Sequence, residues 1–538
     1  MRLDRREFLR IASVALGTLA AQPQDPGEAD EAAETTTALG IHRRTRNTRF
    51  GPFGRIGLPG RKTAPFKTYP GLRRVKLPAG SPASGLPLGD AVRGYASAAG
   101  FSSEALTLSE LARLLQLTNG VTGRTSRGAA RRAAPSAGAL YAGEVYVLAE
   151  RVGDLAPGVY YYAVLEHELV EVRGGSPLAA AVSAVEESGA MERAAAVVVL
   201  TNVFDRYARR YGDRGYRYAL IDSGHQGENL RLAAFAAGIG DRAPLRFEDD
   251  RLNEHVGIDG REEAVCAVHA VGRRGEPAAH STQPVRALAE KGEVDPAAIP
   301  QRGPAPERYH EATKLVPAAS PPPGASGTRG EGAPRGATDA VEIAQPAASS
   351  LLLPKGIPSP PTSVDATIRV RRSTRSFESS PLSLEDLGFV LEMAKGHAAL
   401  ERAPGVELLV VVHRVKDLGA GLYRYDSRAH ALATLRTGDL REALTRTCLG
   451  QEKAGLAGVA LAMVAELARS AAARGERAYR DLLVEAGAIG ERVYLAAEAR
   501  GLSARNLAAF RDGELNALLG TDGRERAVIH LTLVGRGD

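Results

Sequence analysis

The chain has 538 residues, 44% hydrophobic and 25% charged, which suits two or more cored domains and excludes a disordered or fibrous polymer. Its net charge of +6 is unevenly spread: no Asp or Glu occurs between Thr35 and Gly89, where eleven Arg and Lys residues fall. That stretch lacks helical periodicity and interleaved aromatics, so it reads as a solvated basic tail rather than a nucleic-acid arm. The two cysteines, Cys266 and Cys448, form no CxxC pair, which argues against a zinc or dithiol site.

In chain order, Asp4-Arg5-Arg6-Glu7-Phe8-Leu9-Arg10 precedes an apolar run from Ile11 to Ala21. A twin arginine before a short, mildly apolar segment resembles a Tat export signal, and the run is too short for an ordinary transmembrane helix. Residues 1–22 are therefore expected to be a signal directing a folded, extracytoplasmic protein, with no membrane span after its removal. Residues 23–85 read as a basic Pro/Gly-rich tether. A first domain is expected over 86–275. It should hold a helix at 106–118 with Ser109 as a candidate N-cap, strands at 144–150, 159–163 and 168–172, a buried strand from Ala194 to Leu200, a long helix at 216–238 and a strand at 263–271. Residues 276–360 turn rich in Pro, Ala, Gly and Ser and read as a disordered linker. A second domain is expected over 361–538.

The second domain repeats the first. At a shift of 263, Ala219–Arg273 aligns with Leu482–Arg536 without a gap, matching Gly224, Gly227 and Glu228 to Gly487, Gly490 and Glu491. The same shift sets Gly257, Asp259, Gly260, Arg261 and Glu262 on Gly520, Asp522, Gly523, Arg524 and Glu525. Toward the N-terminus the shift becomes 276, so the second copy lacks 13 residues between Gly396 and Glu407. The gap falls over Pro135-Ser136-Ala137-Gly138-Ala139-Leu140-Tyr141, a turn whose proline and glycine free the backbone N–H groups to face a flat or anionic ligand.

The converse loss also occurs. The second copy carries Arg371-Arg372-Ser373-Thr374-Arg375, and the first has Tyr95-Ala96-Ser97-Ala98-Ala99 there. Arginine suits bidentate phosphate binding, so this run is a candidate phosphate site. Complementary losses point to an intramolecular pseudo-dimer that builds one ligand site across its interface.

With these motifs, and with Tyr211-Gly212-Asp213-Arg214-Gly215-Tyr216-Arg217-Tyr218 ahead of Asp222-Ser223-Gly224-His225, the chain resembles nitroreductase-fold flavoproteins. It is more specifically similar to the SagB/thiazoline-oxidase-type dehydrogenase branch. The resemblance implies an α+β fold: two tandem domains, each a central, mostly antiparallel sheet flanked by helices. It also implies FMN bound between the domains and an FMN-dependent oxidoreductase activity. Arg371, Arg372, Ser373, Arg375 and Arg536 are then expected at the FMN phosphate and ribityl chain. Pro135, Ser136, Ala137, Gly138 and Leu140 are expected along the ring, and the backbone at Ala509 near flavin N5. Tyr211 and His225 are the catalytic candidates. Relatives that oxidise azolines carry a Lys-Tyr pair where this chain has Arg210-Tyr211, and arginine cannot serve as a base. The substrate is expected to be a small molecule or peptide, and the electron partner a quinone, dioxygen or NAD(P)H. No metal site and no nucleic-acid partner are expected. A flavin- or ligand-binding protein without turnover is the alternative reading.

Overall fold

The computed structural model describes residues 37–47, 64–79, 85–186, 188–276, 287–291, 305–318, 350–396 and 405–537. The expected signal over 1–22 lies outside the described residues. Among the described residues, no helix is long and apolar enough to cross a membrane.

Each copy builds one antiparallel sheet covered by helices. In the first, the strand order is Arg74–Lys76, Glu168–Gly174, Gly158–Ala163, Gly143–Ala149, Ala196–Val203, Glu263–Gly275 and Gly100–Phe101, with Ile239–Arg242 also paired to Glu263–Gly275. In the second, it is Ser350–Leu352, Ala431–Thr437, Gly421–Asp426, Val406–Val412, Val459–Glu466, Arg526–Gly535 and Ser503–Leu507. The strand Gly143–Ala149 (GEVYVLA) is buried at every position because both faces of its sheet are covered.

The repeat is carried into the geometry residue by residue. At the 263 shift, Gly143–Ala149, Gly158–Ala163, Ala196–Val203 and Gly215–Ala236 map onto Val406–Val412, Gly421–Asp426, Val459–Glu466 and Ala478–Ala499. At the 276 shift, Arg74–Lys76, Leu88–Gly94 and Leu108–Asn119 map onto Ser350–Leu352, Val364–Val370 and Leu384–Lys395. The helix Leu108–Asn119 is capped by Thr107, not Ser109. The Thr107 hydroxyl accepts from the Glu110 N–H, and the Glu110 carboxylate accepts from the Thr107 N–H, while Ser109 already lies inside the first turn.

The two central helices, Gly215–Ala236 and Ala478–Ala499, pack against each other on the pseudo-twofold axis. Gly224 meets Gly487 there, and any Cβ on Gly224 would collide with the Val484 carbonyl. Glycine is thus required by the close approach of two backbones. The buried pair Arg113–Asp365 ties the domains together nearby.

Two stretches expected to lack structure contribute ordered pieces. In the tether, Ala38–Arg44 is a helix held by Arg217, whose Nη2 donates to the His42 carbonyl at 2.7 Å, and Arg74–Lys76 is an edge strand. In the linker, Leu288–Glu290 pairs with Leu315–Pro317, and the helix Ala305–Ala312 sets the Tyr309 ring 5.8 Å from Tyr216. Strand Ser350–Leu352 edges the second sheet. A few apolar anchors, Leu288, Tyr309 and Leu315, dock these pieces, and the average composition of the stretch conceals them.

Candidate functional site

A cavity of about 900 Å³ lies between the domains. Domain 1 lines it with Pro135, Ser136, Ala137, Gly138, Tyr211 and His225, and domain 2 with Arg371, Arg372, Ser373 and Ala509. These residues, up to about 370 positions apart in sequence, thus share one cleft. Three expected members do not line it. Leu140 packs against the hydrophobic core instead. Arg375 is exposed, because the chain bends at this residue, two positions past Ser373. Arg536 sits 3.5 Å from Asp386, which holds its guanidinium outside the cavity.

The Pro135–Tyr141 turn is held by hydroxyls. Ser136 Oγ accepts from the Tyr141 N–H at 2.8 Å and lies 2.7 Å from Tyr207 Oη. Tyr207 Oη donates to the Asp222 carboxylate, so the Ser136 hydroxyl donates to Tyr207. Burial, then the Asp222 charge, pushes the Tyr207 phenol well above its ordinary range, so it keeps that proton. The backbone is left-handed at Gly138 (φ 61°), Ala139 (φ 54°) and Tyr141 (φ 48°). Two of these are not glycine, so the turn stores strain at the cavity wall. Tyr211 Oη sits directly over the Gly138 α-carbon and leaves no room for a side chain there.

Domain 2 grips the same wall from behind. Arg371 donates from Nε to the Ala133 carbonyl at 3.1 Å and from Nη2 to the Arg132 carbonyl at 3.2 Å. Its guanidinium lies 5.2 Å from the Tyr494 ring centroid and 3.9 Å from Glu491. Arg372 donates to the Thr122 carbonyl at 3.0 Å. These two arginines therefore suture domain 1's approach strands to domain 2 as well as lining the cavity. Ser373 Oγ is 2.7 Å from Tyr494 Oη, which accepts the Asn506 N–H at 2.8 Å.

The Ala508–Ala509 peptide is clamped across the interface. The Ala508 carbonyl accepts from Arg214 Nε at 3.0 Å, Arg214 Nη2 at 2.7 Å and Tyr218 Oη at 3.2 Å. In a trans peptide the N–H of Ala509 then points the opposite way. Arg214 also pairs with Asp512 at 2.6 Å, and the N-terminal segment joins this knot through Asn47, whose N–H donates to Asp512 at 2.9 Å.

Two histidines face the cavity. Asn506 Nδ2 donates to His225 Nε2 at 2.7 Å while Asn506 Oδ1 accepts from Thr532. This network leaves the His225 proton on Nδ1, 3.7 Å from Asp222 Oδ1. His530 is buried, neither ring nitrogen has a partner among the described residues, and burial first, then His225 and Arg214, lowers its pKa well below the ordinary value. A buried neutral imidazole with two unmatched nitrogens on a cavity wall expects a partner from the cavity. Together with the Ala509 N–H, it fits a flat heteroaromatic ring bearing polar edges, as FMN has.

Tyr207, Asn506 and His530 escaped the sequence reading, and Arg214 entered it only as part of the Tyr211–Tyr218 motif, without a role. His530 left a trace, since the 263 shift places it on Ala267 in an otherwise apolar strand. The Arg214 and Tyr207 contacts join separate elements, and spacing along the chain carries no sign of them.

A sequence profile of the nitroreductase family matches residues 97–273 and 368–536. The chain is 32% identical over 158 residues to "Putative nitroreductase MJ1384" of Methanocaldococcus jannaschii, covering 29% of this chain and 78% of that protein. It is 29% identical over 151 residues to the Microcin B17-processing protein McbC of Escherichia coli, covering 27% of this chain and 55% of that one. A crystal structure of a "putative nitroreductase" from Anabaena variabilis superposes with a TM-score of 0.70 at 24% identity, over 93% of this chain and 99% of that chain, a likeness of fold. Two profile matches that together cover more than half of the sequence, on two copies of one α+β domain, make this chain a member of the nitroreductase family.

Proposed function

We propose that the chain is an FMN-dependent oxidoreductase that binds one FMN in the cleft between its domains and exchanges hydride equivalents with a small-molecule or peptide substrate. The observation that carries this reading is the single cavity wall assembled from Pro135–Gly138 of one copy and Arg371–Ser373 with Ala508–Ala509 of the other. When bound, the flavin supplies the hydride chemistry, and the protein supplies position and electrostatics. The chain's own residues divide the remaining work. Ser136, Tyr207 and Asp222 fix the turn against which the ring would lie. Ser373 and the arginines beside it receive the phosphate end. Arg214 holds the Ala509 N–H toward the ring edge, and His530 offers a neutral nitrogen there. Tyr211 holds a proton at Oη, its pKa raised by burial against the opposing pull of Arg210, so it serves as a donor at neutral pH. His225 is a second polar contact, oriented by Asn506.

The likeness to McbC supports placing the chain near the branch that acts on peptides, and the twin arginine at Arg5-Arg6 supports export in the folded, flavin-loaded state. The test is an anaerobic reductive titration of purified protein. A yellow protein whose flavin bleaches with a candidate donor and recovers with a quinone or dioxygen is the expected result. A protein that stays colourless after incubation with FMN contradicts the reading.

A further inference from the structure

The charged side chains that line the cavity are mostly arginines. Seven arginines line it with one carboxylate, Asp222, which is already bonded to Tyr207; of the seven, Arg371 lies 3.9 Å from Glu491 and Arg511 3.4 Å from Glu514, both behind the wall. A phosphate monoester brings about two negative charges at neutral pH. At the Ser373 end, Arg505 donates to the Thr374 carbonyl at 2.8 Å, beside the expected phosphate position. Arg210 lies elsewhere, over the Pro135–Tyr141 turn. Its Nη1 would stand 3.3 Å from a Cβ built on Gly138, next to the Tyr211 hydroxyl.

Arg210 is exposed, and among the described residues its guanidinium makes no hydrogen bond or ion pair. Neighbouring Arg209 differs, pairing with Asp205. Arg210 is nonetheless aimed. Its guanidinium carbon lies 5.5 Å from the Tyr211 ring centroid, and the Tyr211 ring is fixed edge-on against Tyr218 at 4.8 Å. A permanently charged, forked donor held over the turn, beside a protonated phenol, is built to receive an oxyanion. Arginine cannot give up its proton in this setting, so its contribution is charge and geometry rather than base chemistry.

We propose that Arg210 anchors the substrate: the compound that reacts in this cleft carries an oxyanion group, such as a carboxylate, which docks on the Arg210 guanidinium while its reacting centre faces the ring position and Tyr211 Oη. This rests on the FMN reading of the cleft. It names the substrate class as anionic and makes Arg210 the residue that discriminates it from neutral analogues.

The test uses calorimetric titration of benzoate and of benzamide, equal in shape and different in charge, into full-length protein saturated with FMN. Benzoate is expected to bind at least about tenfold more tightly, roughly 1.4 kcal/mol. Arg210→Gln, at an exposed position, should remove the preference, and Arg210→Lys should keep part of it as a point charge. Equal affinities in the wild type, no binding of either compound, or a preference that survives in Arg210→Gln would each overturn the assignment. The flavin content of the same samples separates the two claims. Protein without FMN defeats the FMN reading, whereas protein holding FMN without the charge preference defeats only the role given to Arg210.

Discussion

The pseudo-twofold gives the open cleft a counterpart at Tyr95, Arg231 and Asp241, and there the buried side chains fill the equivalent place themselves. In the open cleft, Arg371 stacks on Tyr494 at 5.2 Å. In the other, the partners are exchanged: Arg231, equivalent to Tyr494, stacks at 4.8 Å on Tyr95, equivalent to Arg371. The framework around them is conserved between copies, since the Thr374 N–H donates to the Ala504 carbonyl at 3.1 Å and the Ala98 N–H to the Asp241 carbonyl at 2.8 Å. What differs is the side chain at that point. Asp241 accepts from Tyr95 Oη at 3.0 Å and from His269 at 3.0 Å, with Arg231 at 3.9 Å, and Glu228 takes Arg231 at 3.2 Å. Ala504 offers no carboxylate. The filled counterpart carries a buried carboxylate, Asp241, at the place where the open cleft has Ala504.

The largest expected effect comes from breaking the open cleft. Arg371→Ala removes both sutures to residues 132 and 133 and strands Glu491, so FMN occupancy should fall below about a tenth of the wild-type value, read from absorbance after gel filtration. Asp241→Asn in the closed cleft should act on stability instead. Removing the charge beside Arg231 and His269 should lower Tm by roughly 5 °C or more while flavin per chain stays unchanged. Loss of flavin in that variant would undo the division of labour between the clefts.

Tyr207→Phe sharpens the comparison at the turn. It deprives Ser136 and Asp222 of their shared partner, and FMN should bind about tenfold more weakly by fluorescence titration, with Tm lowered by a few degrees. Glu491 gives a pH test. Burial raises its carboxyl from the ordinary 4.5 to about 7, against the pull of Arg371 and His225. The folded state therefore holds a proton that the unfolded chain releases. The resulting stabilisation is full below about pH 4.5 and is lost as pH rises through about 7. The difference in Tm between wild type and Glu491→Gln should change by a few degrees across that window and be flat above it. The smallest effect belongs to Arg375→Ala, which should leave FMN affinity within about threefold of wild type, because the side chain faces solvent outside the cavity.

The repeat made much of this architecture legible. Equivalent elements such as Leu88–Gly94 and Val364–Val370 fall at the shift read from sequence, and the missing 13 residues mark the one wall that only domain 1 supplies. Orientation was not legible. Arg371 and Arg375 are near neighbours in one motif, yet one is buried against Tyr494 and the other points to solvent. The Arg214 clamp on Ala508 spans 294 residues, and no local pattern encodes it. Short apolar anchors such as Leu288 and Tyr309 were masked by the Pro- and Ala-rich stretch around them.

On the proposed reading, two homologous domains make one FMN site. Titrating FMN into flavin-free full-length protein, and following the quenching of flavin fluorescence to its endpoint, tests it most directly. Saturation is expected at one FMN per chain. An endpoint of two per chain would show that the cleft holding Asp241 and Arg231 is also a flavin site, and no saturable binding would remove FMN from the cleft altogether.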